Sequence, residues 1–243
     1  MRVTRCHVDL PLPLGSKVVL PESAAAHLVR VLRLREGDGC VLFNGDGNDC
    51  AARIAAAGKR EVVVEILSID PVDNESPFRI TLLQGIARGE KMDLILQKAT
   101  ELGVAHVMPV LAERTEVKLD AERTAKRMSH WESVIVSACE QSGRAQVPAL
   151  DAPATLAAAA TALADDCMKL TLDPQGEQSL QSLPPPPAGV AIAIGPEGGW
   201  SPRDRETLRT AGFEGLRLGP RVLRTETAGL AAIAALQARF GDL

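Results

Sequence analysis

The chain has 243 residues, of which 46% are apolar and 24% charged, and its formal net charge at pH 7 is -4. This balance is that of an ordinary globular protein and excludes a disordered chain, and the length suffices for one large domain or two. No stretch reaches the ~20 apolar residues that cross a bilayer, and Met1–Arg5 lacks the apolar core of a signal peptide. We therefore expect a cytoplasmic protein with no membrane partner.

Cysteine and histidine usage argues against disulfides and metals. The five cysteines are an odd number and form no C-x-x-C pair, which predicts reduced thiols rather than a disulfide framework. The four histidines, at positions 7, 27, 106 and 130, are scattered without the spacing of metal ligands. No metal is expected.

Nucleic-acid binding finds little support in the overall composition. Basic residues number 27 and acidic residues 31, so the chain has no global basic field, and with no tyrosine it is poor in aromatic platforms for bases. Any RNA contact would have to come from local clusters such as Arg30, Arg33 and Arg35. These arginines are either a solvated surface or a patch that contacts phosphates.

The first part of the chain, to about residue 70, predicts a small β-barrel or meander. After a helical pattern over Glu22–Val31, short β-prone runs alternate with turns rich in Asn, Asp and Gly. A polar, proline-bounded linker follows at residues 70–77. The predicted domains are residues 1–72 and 73–243.

Beyond the linker, strands alternate with helices, which predicts a parallel sheet covered on both faces. Within the first of these helices, Leu94, Ile95, Ala99 and Leu102 are expected to face the core. The predicted strands are Phe78–Gln84, Val104–Leu111, Met168–Leu172 and Gly189–Ile194, and the predicted helices are Met92–Leu102, Asp120–Gln141, Ala154–Leu163 and Thr225–Ala238.

Two glycine-bearing loops, Gly195–Gly199 and Leu218–Ala228, each follow a short apolar run and open a helical pattern. Ser201-Pro202 marks the first helix start, with serine as N-cap and proline at the first helical position. Loops at the carboxyl ends of parallel strands form ligand sites in α/β proteins. Neither loop is G-x-G-x-x-G or a P-loop, which disfavours dinucleotides and nucleoside triphosphates.

Cys139 and Trp131 are two further residues whose side chains could act in catalysis or binding. Cys139 could be a nucleophile, but in an apolar helical run it is more simply a small buried hydrophobe. Trp131, among charged neighbours on the same predicted helix, is better explained by packing than by base stacking.

The paired loops resemble the cofactor loops of SPOUT methyltransferases, and the chain is most similar to the 16S ribosomal RNA uridine-N3-methyltransferase family of the RsmE type. The resemblance extends along nearly the whole chain. Its further motifs are His27–Arg33, Arg88–Met92, Gln97–Val104, Glu113–Thr115 with Val117-Lys118-Leu119, and Ala138–Arg144.

The resemblance implies a trefoil-knotted α/β domain with a mostly parallel sheet, preceded by a PUA-like β-barrel, and a homodimer. It also implies S-adenosylmethionine as cofactor, with glycines admitting the adenosine and apolar side chains on its ring. The implied cofactor-binding residues are Leu172, Gly195, Pro196, Glu197, Gly198, Gly199, Leu218, Gly219, Leu223, Arg224, Glu226, Thr227 and Ala228.

The implied reaction is methyl transfer to N3 of a uridine in the decoding region (helix 44) of 16S rRNA in the small ribosomal subunit. Glu140 and Glu197 are candidates for the base that takes the N3 proton, and Arg144 or Arg224 could stabilise the uracil anion. The RNA-contact candidates are Arg30, Arg33, Arg88 and Lys91. Two alternatives stay open: a SPOUT enzyme that methylates another nucleotide or a ribose 2′-OH, and an RNA-binding module without catalysis.

Overall fold

The computed structural model of the chain describes residues 4–58, 61–117 and 120–243. Met1 to Val3 of the amino terminus and Lys118 and Leu119 of the quoted motifs lie outside these ranges. The chain divides into two compact units, one of Met1–Glu75 with Cys139–Val147 and one of Ser76–Ala138 with Pro148–Leu243.

The first unit is built on a five-stranded sheet with the strand order β1-β3-β4-β5-β2. All neighbouring strands are antiparallel except β1 and β3, which pair in parallel. A short helix, α1, continues directly into a π-helical turn at Ala26–Val31. The elements are β1 (Arg5–His7), β2 (Lys17–Val19), α1 (Glu22–Ala25), β3 (Gly39–Phe43), β4 (Asn48–Ala57) and β5 (Val62–Pro71).

The hairpins predicted from the turn residues are confirmed as β3–β4 and β4–β5. The register of β4 against β5 shifts at two places, and such bulges bend a sheet and increase its twist. The segment 139–147 packs into the same unit, where the amide nitrogen of Gly47 donates to the Ala145 carbonyl at 3.2 Å. The first unit is therefore made from two separate stretches of sequence.

The second unit is an α/β fold in which every strand pairing is parallel. The strand order is β11-β13-β10-β12-β6-β7-β8, with β9 also on β7. Strand β12 thus lies between β6 and β10, although both precede it in the chain. The elements are β6 (Ile80–Gly85), α2 (Glu90–Glu101), β7 (His106–Leu111), α3 (Ala121–Ser142), β8 (Ala149–Leu150), β9 (Ala154–Thr155), α4 (Leu156–Thr161), β10 (Met168–Leu172), β11 (Gln178–Ser179), β12 (Val190–Ile194), α5 (Pro202–Thr210), β13 (Glu214–Arg217) and α6 (Thr225–Phe240).

The parallel sheet and the order of its main elements are confirmed, and two details of the prediction are wrong. Leu94 is 41% exposed, because α2 buries a stripe through Met92, Ile95 and Ala99 and position 94 lies off it. The alanine-rich helix begins only at Leu156, since the backbone of Ala154 and Thr155 pairs with β7 and the Thr155 hydroxyl caps the helix.

Among the described residues, no helix is long and apolar enough to span a membrane.

Candidate functional site

A cavity of about 450 Å³ opens at the carboxyl ends of three neighbouring strands, β10, β12 and β13. Its walls come from the ends of these strands, the two glycine loops and the first turns of α2 and α6. This is the edge where open parallel sheets bind ligands. The lining residues are Lys91, Leu172, Asp173, Pro174, Ile194, Gly195, Pro196, Glu197, Gly199, Trp200, Arg205, Leu216, Leu218, Gly219, Arg221, Val222, Leu223, Arg224, Thr225, Glu226 and Ala228.

The first glycine loop is folded tightly against the end of β6. The Gly199 amide donates to the Pro196 carbonyl at 2.8 Å, and Gly199 has the positive φ of 65° that favours glycine. A Cβ on Gly85 would lie 2.5 Å from the Pro196 nitrogen. Gly85 is therefore required for the close approach of the loop, a role that its position after a predicted strand did not reveal.

The second glycine loop leaves its backbone open to the cavity. Within the described part of the chain, the backbone groups of residues 219–223 form no hydrogen bonds with other backbone groups. Gly219 has a φ of 74° and open space where a Cβ would point. Unpaired N–H and C=O groups beside apolar Leu218 and Leu223 suit a ligand with a flat apolar ring and polar edges.

A buried hydrogen-bond chain joins the two loops. The Gln84 side-chain nitrogen donates to the Thr225 hydroxyl at 3.1 Å, and this hydroxyl donates to the Gly195 carbonyl at 2.6 Å. Gln84 is fully buried and Thr225 nearly so. Neither was predicted as a site residue, because Gln84 lies inside an apolar run and Thr225 reads as an ordinary helix start.

Lys91 connects the helix α2 to both loops. Its ammonium lies 3.3 Å from Oε1 of Glu197 and 4.0 Å from Oε2 of Glu226. Oε1 of Glu197 also accepts the amide hydrogen of Arg88 at 3.1 Å. Burial alone would raise the pKa of Glu197, but the amide hydrogens of Arg88 and of Glu197 itself and the Lys91 ammonium outweigh it and lower that pKa.

Most of the predicted cofactor-binding residues line the cavity, and two do not. The Gly198 carbonyl accepts a hydrogen bond from the Arg114 guanidinium at 2.9 Å, and Gly198 does not line the cavity. Thr227 is exposed on the first turn of α6 and is not part of the lining. The two loops were thus predicted as units, whereas the face that each residue presents depends on the helix and turn geometry.

The four catalytic candidates fall in different units. Glu197 and Arg224 line the cavity. Glu140 and Arg144 belong to the first unit, where Oε1 of Glu140 accepts the His7 amide at 3.0 Å. Arg144 is 5% exposed and forms a two-point ion pair with Glu75, at 2.9 and 2.5 Å. These contacts stabilise the fold of the first unit.

The RNA-contact candidates are also divided between the units. Arg30 and Arg33 are exposed in the first unit, Arg88 is exposed in the second and pairs with Glu116, and Lys91 is held by Glu197. Arg88 and Lys91 would have to give up an ion pair to contact a phosphate.

Cys139 and Trp131 are packing residues, as the simpler interpretation of each expected. Cys139 is fully buried, and burial raises the pKa of its thiol to about 11. Trp131 is 2% exposed. In the part of the chain that the structure covers, no three or more His, Cys, Asp or Glu side chains are grouped as a metal site would require.

Two family models match the chain: an RNA methyltransferase domain over residues 74–237, and an RNA methyltransferase PUA domain over residues 20–67. A ribosomal RNA small subunit methyltransferase E of Buchnera aphidicola is 32% identical over 242 residues, covering 100% of this chain and 98% of the relative. The chain belongs to this RNA methyltransferase family. The Bacillus subtilis member is 31% identical over 218 residues, covering 86% of this chain and 85% of its own.

Solved structures of similar proteins agree with the family over the full length. A Legionella pneumophila methyltransferase structure in complex with SAM is 41% identical, with a TM-score of 0.95 and 100% of both chains covered. A ribosomal RNA small subunit methyltransferase E of Neisseria gonorrhoeae, bound to S-adenosyl methionine, is 39% identical with a TM-score of 0.93, again over 100% of both chains. The α/β methyltransferase fold with an N-terminal PUA domain is thus that of the family.

Proposed function

We propose that this protein transfers the methyl group of S-adenosylmethionine to N3 of a uridine in the decoding region (helix 44) of 16S rRNA in the small ribosomal subunit. The observation that carries the proposal is the cavity between the two glycine loops, in a chain of the small-subunit RNA methyltransferase family. The SAM bound to the two full-length structural neighbours supports the choice of cofactor.

The cavity fits the cofactor in size and in chemistry. Its volume of about 450 Å³ is in the range of cofactor sites. We assign Leu172, Leu218 and Leu223 to the apolar contacts of the adenine ring, and the open backbone of residues 219–223 to its polar edge. Gly219, with free space beside its Cα, lets the backbone approach the ligand.

The bound cofactor supplies an activated methyl group, so the protein must align the uridine and deal with its N3 proton. We assign to Arg224 the stabilisation of negative charge on the uracil, because it is exposed at the cavity and forms no ion pair with a described residue. Arg224 is the N-cap residue of α6 and lines the cavity together with residues of both loops.

The proton acceptor is assigned among the carboxylates of the cavity. The lowered pKa of Glu197 makes it a weak base, so we propose that Glu197 orders the loops through Lys91 and Arg88. Asp173, the third carboxylate of the lining, is paired with Arg205 at 2.8 Å. We therefore propose that Glu226, whose Oε2 has no hydrogen-bond partner among the described residues, takes the proton directly or through one water. Glu140 and Arg144 are assigned structural roles in the first unit.

The substrate-binding arrangement completes the proposal. We propose that residues 1–72 act as the RNA-binding domain and residues 73–243 as the knotted methyltransferase domain, in a cytoplasmic homodimer. Arg30 and Arg33 would contact phosphates, since both are exposed and unpaired among the described residues. Arg88 and Lys91 are proposed as RNA contacts at the rim of the cofactor site.

Transfer of labelled methyl groups tests the reaction. Small subunits from a strain that lacks the enzyme should accept label from S-adenosylmethionine, and mass mapping should locate N3-methyluridine in 16S RNA. Label in another nucleotide or in a ribose 2′-OH would support the alternative SPOUT activity. Calorimetry that detects no uptake of S-adenosylmethionine would instead indicate a binding module without catalysis.

A further inference from the structure

The helix that follows β2 ends in an unusual way. After α1, the chain widens into the π-helical turn Ala26–Val31, and the Leu32 amide donates to the His27 carbonyl at 3.0 Å. Arg33 then adopts a φ of 61°, the only positive value for a non-glycine residue in the described part of the chain. Glycine is the usual residue at such a helix end, because a side chain is strained there.

The residues before and after Arg33 stabilise its strained conformation. The Leu34 amide donates to the Leu28 carbonyl at 3.0 Å, which closes the helix end around Arg33. Leu28 is fully buried and Leu34 packs on the same apolar core. Strain that the surrounding structure enforces at a non-glycine residue, next to a π-helical turn, is a feature of functional sites.

The same turn exposes two aliphatic side chains. Val31 is 66% and Leu32 is 41% exposed, while Leu28 on the preceding turn is inside. Arg30, Arg33 and Arg35 are exposed around them, and none forms an ion pair with a described residue. Of the nearby acids, Asp38 uses its carboxylate to accept the Arg35 amide hydrogen at 2.7 Å. Val31 and Leu32 therefore form an exposed apolar tip, next in sequence to three arginines that have no ion-pair partner among the described residues.

We propose that residues 30–33 form a contact for an unpaired nucleotide of the RNA, with Val31 and Leu32 against the face of its base and Arg30 and Arg33 on the flanking phosphates. Single-stranded RNA matches this surface. Guanidinium groups without ion pairs bind phosphates, and the aliphatic tip buries apolar area against the face of an unstacked base. A protein partner would not need three guanidinium groups without ion-pair partners among the described residues. The inference rests on the proposed function, because it takes RNA as the substrate.

The aliphatic pair and the arginines should affect RNA binding differently, the first through base contacts and the second through the salt dependence of Kd. The probes are a hairpin with unpaired nucleotides from the 16S decoding region and a fully paired duplex of equal length, measured by fluorescence anisotropy over a range of KCl concentrations. V31S/L32S should weaken hairpin binding by about 5-fold, which is the lower end of the effect of base–aromatic stacking, because Val31 and Leu32 are aliphatic. It should leave duplex binding and the salt dependence unchanged, because it removes no charge.

The variant R33G separates charge from folding. Glycine suits the backbone at position 33, so the melting temperature should hold or rise. The slope of log Kd against log salt should nevertheless fall by about 0.7–0.9, the loss expected for one phosphate contact. Leu67→Ser and Arg53→Ala are the matched controls, with exposures of 50% and, for the arginine side chain, 51% on the sheet of the same unit. Both should bind like the wild type.

Several results would overturn the proposal. Equal losses on hairpin and duplex for V31S/L32S, or an unchanged salt slope for R33G, would do so. A change of molecular mass of the free protein on V31S/L32S substitution would show that the tip covers a second copy of the chain. If the wild type methylates RNA and these variants match it, only this inference fails. If the wild type takes up no S-adenosylmethionine and binds neither the hairpin nor the duplex, both the proposed function and this inference fail.

Discussion

The hydroxyl of Thr225 donates a hydrogen bond to the carbonyl oxygen of Gly195 over 2.6 Å, and so fastens the start of α6 to the first glycine loop. Gln84 supplies the second partner of the same hydroxyl. Because Gln84 and Thr225 are buried and Gly195 is partly buried, these bonds are shielded from water and join the two loops in the absence of a ligand.

Replacing Thr225 by valine should therefore cost about 1–3 kcal/mol in the free energy of unfolding, since it leaves buried polar groups without a partner at nearly constant volume. Urea unfolding measures this loss. Thr225→Ser is the control, because it keeps the hydroxyl and should stay near the wild type. A valine variant as stable as the serine variant would mean that the chain contributes nothing to the site.

Neutralising Glu197 should produce a loss of stability that depends on pH. The folded-state pKa of Glu197 is lowered, so its carboxylate stabilises the fold above the ordinary glutamate pKa of about 4.3, and this contribution disappears as the pH falls through the folded-state value. E197Q should be less stable than the wild type at pH 7 and equal to it in strong acid.

Urea unfolding at both pH values tests this expectation. Glu206 provides a control: its pKa is also lowered, by Arg209, but it lies on the exposed face of α5 away from the cavity lining. E206Q should leave binding of S-adenosylmethionine unchanged, whereas E197Q should weaken it. A pH-independent difference between E197Q and the wild type would contradict the assigned role of the charge.

Removing the guanidinium of Arg144 should destabilise the protein by about 3–5 kcal/mol, because it leaves the carboxylate of Glu75 without its partner in a largely buried pair. Chemical denaturation of R144M measures the loss, and the double variant R144M/E75M should recover part of it. Methyl transfer by the folded fraction of R144M should remain near the wild-type rate. A large fall in that rate at full folding would return Arg144 to the catalytic residues.

Two glycines should respond differently to alanine. Gly85→Ala forces a Cβ to 2.5 Å from the Pro196 nitrogen, so the loop must move, at a cost of about 1–3 kcal/mol or more. Gly219→Ala meets no atom within 4 Å and bears only the backbone strain of about 1–2 kcal/mol. Its methyl group lies at the cavity, so cofactor binding should suffer more than the melting temperature.

Thermal unfolding and calorimetry with S-adenosylmethionine separate these two effects. Gly212→Ala is a control with a similar φ of 84° and free space, on a turn that does not line the cavity. Its cofactor affinity should equal that of the wild type. Equal effects of the three substitutions on affinity would remove any special role of Gly219.

Apolar runs, glycine positions and helix-capping residues were enough to predict the parallel sheet and the two loops that line the cavity. Val190–Ile194 is continuous and apolar because it is buried on both faces, and Ser201 caps α5 as its neighbours in sequence predict. Such signals are local. The knotted passage implied for the carboxyl-terminal helix stays a prediction.

What the sequence could not supply depends on groups far apart in the chain. The Gln84–Thr225 contact joins residues 141 positions apart, and Gly85 is required only because Pro196 returns to it. Glu140 and Arg144 lie within the motif Ala138–Arg144 and were candidates for catalysis, and the sequence did not reveal that they contact His7 and Glu75 of the first unit. Residue type alone does not distinguish a buried structural pair from a reactive one.

The central position of β12 has a consequence for how the protein is made. Because β6 and β10 are both in place earlier in the chain but meet only through β12, the middle of the sheet stays open until residue 194 has been synthesised. Both glycine loops follow that point, and closing such distant pairs is slow. A growing chain should therefore acquire its amino-terminal sheet early and its ability to hold a ligand last.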